Sequence, residues 1–171
     1  MTKRTDDHSI CLISESAEAT ERVGSLLGSL LCPGDIVVLD GDLGAGKTVL
    51  TRGMARGLGL TEDVASPTYT LVFEHLAEDA AAIDLFHFDV YRLSGADEFL
   101  MSGLDEYFDR GGVCVIEWGR KIFDALPASV IFAELSGVGP EREVCLRFPE
   151  GDEERCARLR ELLSHSEGIR V

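Results

Sequence analysis

Two rhythms of apolar residues run along this chain. SICLIS, residues 9–14, is a short strand-like stretch, and a helical rhythm follows from about Ser16 to Leu31. There Val23, Leu26, Leu27, Leu30 and Leu31 fall on one stripe. Glu18 and Glu21 sit in its early turns, where the helix dipole favours anions, and Pro33-Gly34 ends it. DIVVLDG, residues 35–41, is continuously apolar between turn signals, the pattern of a buried parallel strand. A second helix is predicted from Lys47 to about Leu58, with Leu50, Met54 and Leu58 along one side. Gly53 and Gly57 lower its intrinsic propensity, which points to close packing against a neighbour.

Further along, SPTYTLVFEHL and AIDLFHFDVYRL are β-rich and joined by an acidic, alanine-rich link over residues 77–82. So short a connection predicts an antiparallel pair. Asp97 to Phe108 reads as one or two short helices broken at Gly103, and GVCVIEW as another buried strand. Residues 129–135 and 143–148 predict a hairpin across Gly137-Val138-Gly139-Pro140. A closing helix from Asp152 to Leu163 carries Cys156, Leu159, Leu162 and Leu163 inward. The order of elements gives one α/β domain over residues 1–171, with 1–8 and 165–171 as flexible ends.

Composition narrows the function. No apolar run approaches the ~18 residues of a membrane span, and the polar N-terminus lacks the apolar stretch of a signal peptide, so a cytoplasmic protein is expected. The five cysteines are odd in number and widely spaced, with no C-x-x-C. Cys11, Cys114 and Cys145 lie in apolar runs and read as buried thiols, in preference to a disulfide framework or a zinc site. The formal net charge is −15, with only three lysines, Lys3, Lys47 and Lys121. Such a chain is repelled by a polyphosphate backbone and is a poor candidate for gripping nucleic acid by itself; its acidity suits solubility or docking on a basic partner protein.

The chemistry concentrates in GDLGAGKT, residues 41–48, a G-x-x-x-x-G-K-T phosphate loop between a buried strand and an amphipathic helix. Its glycines let backbone N–H groups turn toward phosphates, and the helix N-terminus adds partial positive charge. Lys47 is expected to reach the β- and γ-phosphates and the Thr48 hydroxyl to ligate Mg²⁺. Asp42, beside a polyanion, reads as ordering the loop through its backbone, with a water-orienting role as the alternative. The loop also needs an acid at the end of a neighbouring strand. Asp40, Asp89 and Glu117 all follow apolar runs, and Glu117, closing VCVIE, fits the metal shell best. Strand alternation puts His87 and Asp89 on one face and Phe86 and Phe88 on the other. Asp89 is a candidate for orienting or activating water, or for anchoring a nucleotide-sensing loop. Ser66 to Thr70 supplies hydroxyls that could contact Mg²⁺ or the γ-phosphate, and an ordinary Ser-Pro turn fits the same composition.

The chain contains no Asn and no Gln, so neither the guanine-reading N-K-x-D motif nor a water-orienting Gln exists, and ATP is expected over GTP. The rival is a phosphotransferase acting on a small molecule or protein. Against it, no Arg-rich lid is evident, and Arg92 and Arg120 are isolated.

Four blocks in order, GDLGAGKT at 41–48, SPTYTLV at 66–72, HFDVYRL at 87–93 and IEW at 116–118, resemble the TsaE (YjeE) family of tRNA threonylcarbamoyladenosine biosynthesis. The resemblance runs from about Ile10 to Leu163. It implies a P-loop NTPase domain with a central mixed β-sheet flanked by helices, and Mg²⁺-dependent hydrolysis of ATP to ADP. It implies TsaD and TsaB proteins as partners, in a complex that transfers threonylcarbamoyl to adenosine 37 of tRNA. By the same resemblance Lys47, Asp89, Glu117 and Thr68 are the catalytic set, and Thr48 and Glu117 the metal ligands. Asp42, Gly44, Ala45, Gly46, Lys47, Thr48, Val49, Thr70, Trp118 and Arg120 are the expected nucleotide contacts. Two positions depart from the family pattern: His75 stands where tyrosine is common, and Gly119-Arg120 replaces an acid after the tryptophan.

Overall fold

The computed structural model describes residues 8–61, 63, 64, 67 and 70–171. Strand β1 (Ser9–Ser14) leads into helix α1 (Ala17–Leu30), whose N-cap Ser16 accepts a hydrogen bond from the Ala19 N–H at 3.1 Å. Strand β2 (Ile36–Asp40) and helix α2 (Lys47–Gly57) flank the glycine-rich loop. Then come β3 (Val72–His75), β4 (Leu85–Asp89), helix α3 (Ala96–Met101) and a 3₁₀ segment (Leu104–Asp109), with Gly103 between the last two in the left-handed region. Strand β5 (Val113–Glu117) is followed by a second 3₁₀ segment (Gly119–Ala125). The hairpin β6 (Ile131–Ser136) and β7 (Arg142–Arg147), helix α4 (Glu153–Ser164) and β8 (Ile169–Arg170) complete the chain.

The sheet runs β3-β4-β5-β2-β6-β7-β1-β8. Its centre, β4-β5-β2-β6, is parallel, and every other pair is antiparallel, so the sheet is mixed. The central strands are buried on both faces, which is why they read as unbroken apolar runs. One face, through Val37, Leu39, Val113 and Val115, packs under α1, α2 and α4. The other, through Val38, Phe86, Phe88 and Ile116, packs under α3 and the 3₁₀ segments. The connections leaving the adjacent parallel strands β2 and β5 thus go to opposite faces, the arrangement that sets a ligand crevice at the carboxyl ends of such strands. Among the described residues no helix is long and apolar enough to cross a membrane.

Helices α1 and α2 touch backbone to backbone. A Cβ added at Gly53 would lie 2.0 Å from the Glu21 carbonyl oxygen, and one at Gly57 2.2 Å from that of Ser25. The low-propensity glycines are therefore the condition for this contact. Gly53→Ala gains about 1 kcal/mol in helix propensity but must push the helices apart. A net loss of about 1–3 kcal/mol is expected, seen in thermal denaturation as a Tm lower by roughly 3–10 °C. An unchanged or raised Tm would contradict this account of the interface.

Three features differ from the sequence reading. Cys11 and Cys145 are not buried thiols; they form a disulfide between β1 and β7. They stand directly opposite in the antiparallel register, and because Ile10, Leu12, Val144 and Leu146 point into the core, both cysteines point to the other face. Pairing across 134 residues leaves no trace in local spacing. Cys114 does match expectation: it is buried, and burial pushes its thiol up to about 12. The C-terminal residues read as a flexible end carry β8, which pairs with Ile13 and Ser14 of β1. The second 3₁₀ segment carried no recognised periodicity. Residues 1–7 lie outside the described residues.

Candidate active site

The site is assembled where β2 delivers its loop. Gly41 leaves the strand at φ 147°, and a Cβ there would sit 2.4 Å from the Leu135 carbonyl oxygen of β6, so only glycine passes. Gly46 caps α2 in the left-handed conformation with no side-chain cap, leaving the first N–H groups of the helix for a ligand. The buried Lys47 side chain turns back across the loop. Its amine donates to the Gly41 carbonyl and, at 3.3 Å, to that of Asp42, and lies 4.3 Å from the centre of the Trp118 ring. Asp42 orders the loop through its backbone, its carbonyl accepting from Ala45 N–H at 3.0 Å, while its side chain is exposed.

Two neighbouring strands bring the carboxylates. In the register of β4 and β5, Asp89 stands beside Glu117, and Glu117 in turn stands beside Leu39 of β2. Val113 and Val115 face α2, so Glu117, next in the alternation, faces the same side, as do His87 and Asp89 after Leu85. Glu117 is only 4% exposed. Asp89 is half-buried, and its Oδ1 accepts from the Tyr91 N–H at 3.0 Å. After Glu117 the chain turns sharply at Trp118, φ 63°, the only non-glycine residue in the left-handed region among the described residues. That conformation costs roughly 1–3 kcal/mol, and such outliers gather at functional sites. It is held by Trp118 N–H donating to the Leu39 carbonyl and by the Tyr91 ring 5.0 Å away, and it lays the indole against the Lys47 amine.

Of the remaining sequence candidates, Gly44, Ala45, Thr48 and Val49 lie in the loop or the first turn of α2. Thr70 is exposed in a bend next to Leu71, whose carbonyl accepts from Asp89 N–H, so this segment runs beside the acids. Thr68 lies outside the described residues. Arg120 is not gathered with the others. It pairs with Asp40 at 2.5 Å and Glu134 at 3.3 Å on the sheet face away from α2. Charge pairing on that face captures the guanidinium instead.

Arg142, at the start of β7, has the opposite history. Nothing local in the sequence marks it, yet its Nε donates to the Ala45 carbonyl at 3.0 Å and its Nη2 to that of Gly44 at 3.2 Å. It also donates to the Gly139 and Glu141 carbonyls, tying the hairpin to the phosphate loop. A cleft of about 370 Å³ lies between, lined by Ser16, Thr20, Gly46, Val49, Pro140 and Arg142. Arg142→Ala removes charge-assisted bonds that together hold the loop by about 1–2 kcal/mol. Amide exchange over residues 42–47 is expected to accelerate roughly 5–30-fold. Unchanged exchange would show that the loop needs no clamp.

Among the described residues no three His, Cys, Asp or Glu side chains converge to hold a metal by themselves. The donor set instead fits Mg²⁺ as phosphate sites hold it, by one hydroxyl and one carboxylate with phosphate oxygens and water supplying the rest. Thr48 lies in the first turn of α2, and Glu117 is a buried carboxylate with no arginine or lysine pair among the described residues.

A family model described as threonylcarbamoyl adenosine biosynthesis protein TsaE matches residues 14–144. The tRNA threonylcarbamoyladenosine biosynthesis protein TsaE of Bacillus subtilis is 42% identical over 128 residues, 74% of this chain and 78% of that protein. The protein of the same name from Treponema pallidum is 43% identical over 123 residues, covering 72% and 88%. The crystal structure of Bacillus subtilis YdiB superposes with a TM-score of 0.74 at 33% identity, over 90% of this chain and 95% of that one.

Proposed function

We propose, because this chain belongs to the TsaE family of threonylcarbamoyl adenosine biosynthesis proteins, that it is an Mg²⁺-dependent ATPase serving tRNA modification in the cytoplasm beside TsaD and TsaB. One observation carries the ATPase reading: a buried carboxylate, Glu117, closes the strand next to the phosphate loop, with Asp89 beside it in register. A loop alone can hold phosphate; hydrolysis also needs a place for metal and an acceptor for the proton of water.

In this reading the loop N–H groups and Lys47 hold the β- and γ-phosphates. Thr48 and Glu117 would hold the divalent ion, which would supply positive charge to offset that of the phosphates. Asp89 accepts a hydrogen bond from the attacking water, its carboxylate kept in place by Tyr91 N–H. Trp118 shields the Lys47 amine from bulk water and strengthens its field. The net charge of −15 suits docking on a basic partner while tRNA is left to that partner.

The test is ATP hydrolysis by the isolated chain and with TsaD and TsaB added. Slow release of phosphate to water, raised by the partners, is expected. Phosphate found stably attached to a small molecule or protein acceptor would instead establish a phosphotransferase.

A further inference from the structure

His87 lies in the middle of β4 and is wholly buried, yet neither ring nitrogen has a hydrogen-bond partner among the described residues. Its neighbours on that sheet face are Leu85 and Asp89 on its own strand, Val115 across from it on β5 and Phe73 across from it on β3. A leucine or phenylalanine would satisfy such a place without stranding polar atoms, each of which costs about 1–3 kcal/mol when buried unpaired. One charged neighbour is informative. His87 Nε2 lies 3.7 Å from Oε1 of Glu117, a buried carboxylate in the next strand and two residues beyond the one across from His87. That separation exceeds a hydrogen bond, so a direct contact requires the glutamate side chain to move closer.

We infer that His87 is a positioning residue for Glu117: its Nε2–H binds Oε1 and leaves Oε2 directed at the divalent ion of the phosphate loop. The inference rests on the Mg²⁺-ATPase reading of the site. A glutamate has three rotatable bonds, and a single oxygen on the ion does not fix them. Partners behind metal-binding side chains supply that constraint, and their loss typically weakens metal affinity roughly 10–100-fold. Burial of the imidazole strengthens the contact, since no water competes for the carboxylate from that side. It also explains why a polar ring is tolerated under the apolar layer that α2 covers.

The test compares His87→Phe, which keeps an apolar ring without a donor, with His87→Gln, which restores an N–H. Mn²⁺ is titrated onto each protein with ADP present and followed by electron paramagnetic resonance. His87→Phe is expected to bind Mn²⁺ roughly 10–100-fold more weakly. Its ADP affinity in EDTA should be unchanged, and His87→Gln should recover most of the metal affinity. Wild-type Mn²⁺ affinity in a folded His87→Phe overturns the inference. A second measurement needs no variant at His87 and no metal. In ¹⁵N-labelled protein the imidazole should carry its proton on Nε2, with a resonance that moves in Glu117→Ala. A proton on Nδ1 alone, or a resonance indifferent to Glu117, overturns it equally. Should the wild-type chain bind neither ADP nor Mn²⁺ with ADP, the ATPase reading fails, while the imidazole spectrum still decides the His87–Glu117 contact.

Discussion

Lys47→Ala is expected to lower ATP hydrolysis by roughly 10²–10³-fold, the usual cost of removing one preorganised charge donor from a reacting centre. The side chain is 7% exposed and already lies within the loop, its amine on the Gly41 and Asp42 carbonyls. Moving onto a phosphate exchanges one set of acceptors for another and requires no new ordering of the chain. Of the other two lysines, Lys121 donates to the Tyr91 carbonyl and Lys3 lies outside the described residues. Arginine at 47 is not a remedy, because a planar five-donor fork does not replace a compact ammonium between the loop and the indole. Calorimetric titration separates binding from turnover: the preference for ATP over ADP should shrink as the γ-phosphate loses its cation. Wild-type turnover in this variant would remove the phosphate loop from the chemistry altogether.

Glu117→Gln should be comparably severe, again roughly 10²–10³-fold in hydrolysis, but by another route. The amide keeps the shape of the carboxylate, so the buried strand end is disturbed little. It loses the negative charge that, on the proposed reading, would hold a divalent cation. ADP binding in EDTA should therefore match the wild type, while the Mg²⁺ concentration for half-maximal hydrolysis rises. If hydrolysis instead fell with an unaltered Mg²⁺ requirement, Glu117 would act on water and Asp89 would become the metal ligand. The two variants thus part the roles that the adjacent carboxylates leave interchangeable by position alone.

Much of this architecture is local in origin. The stripe of α1, the apolar runs of β2 and β5 and the glycine break between α3 and the 3₁₀ segment each follow from residues within a few positions of one another. The glycine-rich loop is local as well, since its residues lie within one turn of the chain. Glu117 was readable because a carboxylate closing a run of four apolar residues can lie only at a strand end. Even the face shared by His87 and Asp89 follows from strand alternation.

What needed the tertiary structure is everything set by which strand lies beside which. β1 pairs with β7 across most of the chain, and that register alone brings Cys11 opposite Cys145. The β6–β7 hairpin sits over the loop, so Arg142 became a clamp on Ala45 while Arg120 was drawn to Asp40 on the opposite face. Periodicity reports which way a side chain points relative to its own strand, and so the sequence by itself determined most of the elements, their buried faces and the glycine-rich loop, but not β8 or the second 3₁₀ segment. Beyond strands joined by a short connection, periodicity does not say which element lies beside which. Such neighbours are chosen by the packing of the whole core, through which His87 and Glu117 meet beneath the loop.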